Sequence, residues 1–182
     1  MVFDSRDAVL VKRAQGGEVD AVGELYDRHH ELVFKYVRSR VRDAALAEDL
    51  TGEVFARMVT HLSGYRCKGV PFRAWLYRIA RNLVVDHYRK EGGRSPVPLC
   101  CAQGLREREG DPALIVEQKL ALERVQHALS RLDPSQQEVV VLRFLLGLSL
   151  REVALTMDKT VAAVKSLQHR GLRALRGTLK QV

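Results

Sequence analysis

Residues 149–175 read SLREVALTMDKTVAAVKSLQHRGLRAL, and their spacing predicts a helix-turn-helix. Ser149 and Glu152 stand three apart, the pattern of a capping box, and open a short helix over 150–157. Asp158-Lys159 turns the chain, and Thr160 is placed to cap a last helix running to about Leu179. Val153, Ala154 and Met157 point inward from the first helix. Val164, Leu172 and Leu175 do so from the second, whose start carries the small residues Ala162 and Ala163. Lys165, Ser166, His169 and Arg170 fall away from those packing positions. Such a helix fits a major groove, its first turns toward base edges and its flanking charges toward phosphates. An amphipathic hairpin with a solvated basic face would share the spacing. Residues 131–182 hold 9 basic and 4 acidic side chains, an excess that favours the DNA reading.

Upstream, Asp133-Pro134 supplies an N-cap with proline in the first turn, and Gln136 takes the capping-box position. That helix contains VVVLRFLL and stops near Gly147. Another opens at Asp111-Pro112 and runs to about Arg131. Before it lies GGRSPVPLCCAQGLREREGD (92–111), with four Gly, two Pro and little periodicity. A structureless run of that length inside one domain is unusual, so it reads as a flexible linker between two domains. No stretch shows the alternation of a half-buried strand. The expected architecture is all-α, with two small helical domains at 1–92 and 113–182 and a linker at 93–112.

The first domain reads as four helices. Residues 5–15 form one, ended by Gly16-Gly17, and 18–40 another. Asp43 can cap a third from Ala44 to Leu62, closed by Ser63-Gly64. The basic loop GYRCKGVP (64–71) leads into PFRAWLYRIARNLVVDHYRK, a long helix over 72–90. On it, Phe72, Leu76, Ile79, Ala80 and Leu83 form an apolar stripe. Arg78, Asn82 and Arg89 cluster on another side, with Arg81 nearby and Trp75 at the border. Tyr65, Arg66 and Lys68 lie in the loop. Cations track a backbone, aromatics stack on unpaired bases, and Asn offers a donor–acceptor edge, a set suited to strand-separated nucleic acid. Trp75 alone is equally readable as a core tryptophan.

The third helix carries AEDLTGEVF (47–55). Asp49 and Glu53 are four apart and share a face. Two carboxylates, with Glu48 beside them, could serve acid–base or metal chemistry, but no histidine set at ligand spacing accompanies them, and His29-His30 is a sequential pair that does not share a face. A protein-binding surface is the better use, and no metal, cofactor or catalytic residue is expected. Gly52 inside a helix costs about 1 kcal/mol relative to Ala, which a close packing partner would explain.

The chain has 182 residues with a net charge of +8. Residues 1–63 are net −2, 64–94 net +6, 95–130 net −1 and 131–182 net +5. Two separated basic blocks behind an acidic first third suggest two contacts with one long polyanion, leaving the acidic third for another partner. No apolar run approaches the roughly 20 residues of a membrane span. The start lacks the basic head and apolar middle of a signal peptide, so a cytoplasmic protein is expected. Cys67, Cys100 and Cys101 are odd in number and form no CxxC, so neither a disulfide scaffold nor a zinc site is supported.

AEDLTGEVF, then PFRAWLYRIARNLVVDHYRK, then LDPSQQEVVVLRFLLGLSLREVA with VAAVKSLQHRGLRAL resembles, in that order, the extracytoplasmic-function (ECF) sigma factors of bacterial RNA polymerase. The resemblance covers nearly the whole chain. It implies a sigma-2 domain, a linker and a sigma-4 domain. By it, Asp49, Leu50 and Glu53 would bind the clamp of the polymerase beta-prime subunit, with the beta subunit a further contact of the core enzyme. Tyr65, Arg66, Lys68, Trp75, Arg78, Asn82 and Arg89 would hold the minus-10 element with strands parted. Lys165, Ser166, His169 and Arg170 would read the minus-35 element, and an anti-sigma protein would control the whole. Gly52 departs from a usual Gln, Asp158-Lys159 from a frequent Gly-hydrophobic turn, and Leu167 from a common basic residue. A stand-alone helix-turn-helix regulator is the alternative, but it leaves the acidic and tryptophan-bearing helices without a task.

Overall fold

A computed structural model describes residues 5–41, 43–66, 69–92, 124–125 and 127–179. Among the described residues there is helix and turn but no strand. In chain order, α1 spans Ser5–Gln15, α2 Val19–Arg38, α3 Ala44–His61 and α4 Phe72–Lys90. The chain is helical again over 124–125 and 127–130. Then come α5, Pro134–Val140, continued by a wide π turn over Val141–Leu145, α6, Leu150–Met157, and α7, Val161–Leu179. The expected linker and the start of the helix expected from Asp111 lie outside the described residues.

Capping chemistry sets several of these boundaries. The Asp43 carboxylate accepts from the backbone N–H of Ala45 and Leu46, satisfying donors that the first turn of α3 leaves open. Ser149 and Glu152 close the expected box, each side chain accepting from the other's backbone N–H. At α5 the expectation is corrected: Asp133 Oδ1 accepts from Ser135 N at 2.9 Å rather than forming a box with Gln136. Asp158 ends α6 in the left-handed conformation, φ 54°. An Asp tolerates this at modest strain where Gly would have none.

In the first domain, α1 to α4 pack around Leu25, Val33, Val37, Val54, Met58, Leu76 and Ala80, all 0% exposed. Asp7 on α1 is buried and pairs with Arg28 Nε at 2.8 Å and His29 Nε2 at 3.2 Å, fixing α1 to α2. In the second domain, Val139, Leu142, Leu148, Val153 and Val164 are fully buried.

The packing of α7 departs from the expectation. Val164 is buried, but Leu172 is 39% exposed, and Leu167 and Gly171 take the inward positions. Residues 164, 167, 171 and 175 form one helical stripe, whereas 172 lies a further 100° round. A Cβ at Gly171 would sit 3.4 Å from Gln136 Cβ and Val140 Cγ2, so the missing side chain lets α7 lie close on α5. Leu167 is therefore a core residue, which accounts for its apolar character beside a basic surface.

The two domains are not separate beads. α4 packs against α6, and Thr156 Oγ1 donates to the Ala74 carbonyl at 3.3 Å. Nearby, Arg73 Nη2 donates to the Leu146 carbonyl at 2.7 Å. Besides most of its expected stripe, α4 buries Ala74 at this boundary, Tyr77 against Tyr36 of α2, Tyr88, whose hydroxyl donates to the Arg40 carbonyl, and Val84.

Candidate nucleic-acid and polymerase interface

On α3, Asp49 and Glu53 are exposed and Leu50 is half-buried. Glu53 Oε1 accepts from Arg57 Nε at 2.7 Å, an i,i+4 pair in solvent worth only a few tenths of a kcal/mol. Both carboxylates therefore face outward, with Leu50 offering apolar area between them. Gly52 corrects an expectation: nothing lies within 4 Å of a Cβ built there, so no packing partner within the chain requires glycine.

On α4, Arg78, Asn82 and Arg89 are exposed along one side, Arg89 Nη2 lying 3.1 Å from Asp86 Oδ1. Arg81 and Trp75 are half-buried. Trp75 belongs to a ring cluster, with centroids 4.7 Å from Tyr65 and 5.7 Å from Phe72. Tyr65 itself is buried, and its hydroxyl donates to the Val70 carbonyl at 2.6 Å, closing the basic loop on itself. Its ring face is spent on Trp75 and Phe72. Arg66 is exposed. Lys68, with Cys67, lies outside the described residues.

On α7, Lys165, Ser166, His169 and Arg170 are all exposed, turned away from the stripe that faces the domain core. The Thr160 hydroxyl accepts from Ala163 N at 3.2 Å and caps the helix as expected. α6 and α7, joined by the Asp158 turn, have the helix-turn-helix form, with the first turns of α7 uncovered. A helix N-terminus of that kind adds backbone N–H donors toward a phosphate.

Sequence reasoning did not find a buried polar cluster between the domains. Tyr36 Oη donates to Glu138 Oε1 at 2.8 Å. Arg40 forms an ion pair with the other oxygen of Glu138 and donates to Gln137 Oε1 at 3.3 Å. Arg40 and Glu138 are 4% and 8% exposed. Burial pushes the Tyr36 hydroxyl pKa up, with the Arg40 guanidinium opposing the shift. Nothing in the pattern of 36–40 or 137–138 marks these residues as partners, because they stand about 100 positions apart.

Comparison with known proteins gives the family of the chain. The Sigma-70 region 2 family matches residues 25–94 and the Sigma-70 region 4 family matches residues 122–175. The ECF RNA polymerase sigma factor SigD of Mycobacterium tuberculosis is 34% identical over 177 residues, 93% of this chain and 82% of that protein. The chain is an ECF sigma factor. BldN of Streptomyces coelicolor, another ECF sigma factor, is 43% identical over 91% of this chain; the match spans 63% of that protein's length. Among solved structures, CnrH in complex with the cytosolic domain of CnrY superposes with a TM-score of 0.74 at 27% identity, covering 97% of this chain and 98% of CnrH. In this sigma factor region 2 is thus most of α2 with α3 and α4, and region 4 is the part of the chain containing α5, α6 and most of α7. No described helix is long and apolar enough to cross a membrane.

Proposed function

We propose that this sigma factor docks on core RNA polymerase through the outward carboxylate face of α3 and confers promoter recognition through α4 and α7. Asp49, Leu50 and Glu53 meet the beta-prime clamp, with the beta subunit a further contact. Arg66, Lys68, Arg78, Asn82 and Arg89 follow the minus-10 strand, while Tyr65 and Trp75 shape the loop that receives an unstacked base. Lys165, Ser166, His169 and Arg170 read the minus-35 duplex. The protein makes no covalent change and acts in the cytoplasm. Capture of unstacked bases offsets the few kcal/mol needed to unstack them. Tethering both DNA contacts on one polymerase raises their effective concentration, so each can be weak alone. By likeness to CnrH bound to CnrY, an anti-sigma protein holds it inactive.

The observation that carries this reading is the pairing, in one chain of the family, of an exposed acidic helix face with two basic helices on different domains. Run-off transcription with core enzyme on a promoter library tests it. Promoter-dependent RNA is expected with the wild type and is lost with Asp49→Arg/Glu53→Arg, which also fails to pull down core. Asn82→Ala should retain core binding and impair strand opening. If the free protein instead binds a palindromic duplex tightly and ignores core, the stand-alone regulator is the correct assignment.

A further inference from the structure

α1 lies ahead of the stretch matched to Sigma-70 region 2, residues 25–94, and carries none of the residues assigned to core enzyme or to DNA. Its last residue nevertheless reaches the basic loop that leads into α4. Gln15 Nε2 donates to the Leu62 carbonyl at 2.8 Å and to the Tyr65 carbonyl at 2.8 Å. Both N–H groups of one side-chain amide are thereby used. Leu62 opens the short 3-10 turn Leu62–Gly64 that closes α3, and Tyr65 is the residue just past it. The Leu62 carbonyl also accepts from Tyr65 N at 3.1 Å, so the turn and the glutamine converge on the same stretch of backbone. Carbonyls at a helix end lack partners within the helix, and here a residue on another helix supplies them.

The brace has a firm footing. Leu10 and Val11 bury α1 against the first-domain core, and the buried Asp7 pairs with Arg28 and His29 of α2. The His29 ring carries the line onward, its centroid 5.3 Å from Phe72, which in turn lies 5.8 Å from Tyr65. Tyr65 is thus held at three points. Gln15 holds its carbonyl, Phe72 and Trp75 hold its ring, and the Val70 carbonyl accepts from its hydroxyl. Arg66, the next residue, is exposed.

A loop ordered before it meets its ligand loses less freedom on binding, so more of the contact energy remains for capture of a base. Supporting hydrogen bonds are what keep such a site in its productive geometry. Gln15 is itself exposed, so replacing it opens no cavity. What its amide contributes is the geometry of the loop rather than the packing of the core.

We propose that Gln15 is a positioning residue for promoter reading: its amide braces the backbone at Leu62 and Tyr65, so that α1 holds in place the loop that receives the unstacked minus-10 base. This rests on the promoter-reading function proposed above.

The test uses the full-length chain and two measurements. Hydrogen exchange of the backbone amides over 62–66 reports loop order in the free protein. Run-off transcription with core enzyme reports reading, on the strongest promoter of the library and on copies with one base changed in the minus-10 or the minus-35 element. Gln15→Met keeps the length of the side chain and removes both donors. It should speed exchange over 62–66 by about five-fold, the equivalent of one net hydrogen bond, and leave α7 and the thermal transition unchanged. The ratio of RNA from the intact promoter to RNA from the minus-10 copies should fall by about the same factor, while the minus-35 ratio and core pull-down stay at wild-type values. Gln15→Glu, which sets an acceptor against two carbonyls, should behave likewise. Gln15→Lys, whose ammonium has donors for both carbonyls, should restore the exchange rate and the minus-10 ratio. Its added charge acts on all sequences alike and cancels in that ratio.

Wild-type exchange and a wild-type minus-10 ratio in Gln15→Met overturn the brace while leaving the sigma function intact. Faster exchange with an unchanged ratio overturns its part in reading. An equal fall of the minus-10 and minus-35 ratios marks a general loss and overturns positioning, and a lysine that restores neither value overturns the role of the donors. No promoter-dependent RNA from the wild type overturns the promoter-reading function, and the role of Gln15 with it.

Discussion

α4 and α7 are helices of equal length, both rich in arginine, and the packing treats them in opposite ways. α4 buries Phe72, Ala74, Leu76, Tyr77, Ala80, Leu83, Val84 and Tyr88, leaving a strip with Arg78, Asn82 and Arg89 exposed. α7 buries only Val164, Leu167 and Gly171, and most of its circumference is exposed. A helix wedged between two domains carries stability and recognition on the same turns. One laid on a single domain keeps them on separate faces. Substitutions in α4 should therefore move folding and function together more often than those in α7.

The largest expected effect lies on the buried side of α4. Leu76 is fully buried, and Leu76→Ala removes transfer free energy and leaves a cavity, costing about 2–5 kcal/mol. Chemical denaturation should show a lower midpoint with little change in slope. Leu172→Ala, at a half-open position of α7, should stay within about 0.5 kcal/mol of wild type. Equal losses at the two sites would erase the contrast between the helices.

The next effect belongs to the open face of α7. Lys165→Ala and Arg170→Ala remove exposed cations and should leave the thermal transition in place. Each should weaken binding of the upstream duplex in the holoenzyme by about 1–3 kcal/mol if it reads a base. A phosphate contact would instead weaken all sequences alike and reduce the salt slope by about one. Measuring affinity against salt on cognate and scrambled duplexes separates the two roles. Loss of core binding to the same extent would contradict the assignment of α7 to DNA.

How much of this was legible in advance follows from the range of the forces involved. The boundaries of α4, α6 and α7 could be read because caps, turns and periodicity act within a few residues, as Ser149, Glu152 and Thr160 do. The exposed positions of Asp49, Glu53, Asn82 and Arg170 followed from the same periodicity. The inward face of α7 was misjudged because Gly171, which carries no side chain to signal burial, takes a place that periodicity offered to Leu172. Tyr65 read as an available stacking surface because its bond to Val70 and its contact with Trp75 depend on how the loop folds back. The Arg40–Glu138 pair was invisible for a plainer reason: partners that distant in sequence leave no local pattern.

Gly52 on α3 sharpens the comparison with a smaller effect of opposite sign. It is exposed within a helix, and a Cβ there would meet nothing within 4 Å. Gly52→Ala should therefore raise stability by about 1 kcal/mol through reduced freedom of the unfolded chain and better helix propensity. Glycine between Asp49 and Glu53 also lets a partner's backbone approach closely. If the variant is more stable yet binds core less well, the glycine serves the interface rather than the fold.

The smallest effect near neutral pH is expected at Tyr77, on the α4 face that meets the second domain. Its hydroxyl is buried without a hydrogen-bond partner among the described residues. Burial raises its pKa to about 12, and the nearby Arg73 guanidinium opposes that shift without closing a bond of good geometry. Tyr77→Phe removes an unsatisfied polar atom and keeps the ring against Tyr36, so stability at pH 7 should change by no more than about 1 kcal/mol. The difference appears at high pH. Above pH 10 the unfolded phenol ionises while the folded one keeps its proton, so the unfolded state binds fewer protons and stability falls as pH rises toward 12. Denaturant melts from pH 9 to 11 should show a shallower decline for Tyr77→Phe than for wild type. Tyr36 is raised in the same direction and contributes to the slope that remains in the variant. Identical profiles for the two proteins would mean that the Tyr77 hydroxyl is solvated, and hence that α4 is not covered by the second domain in solution.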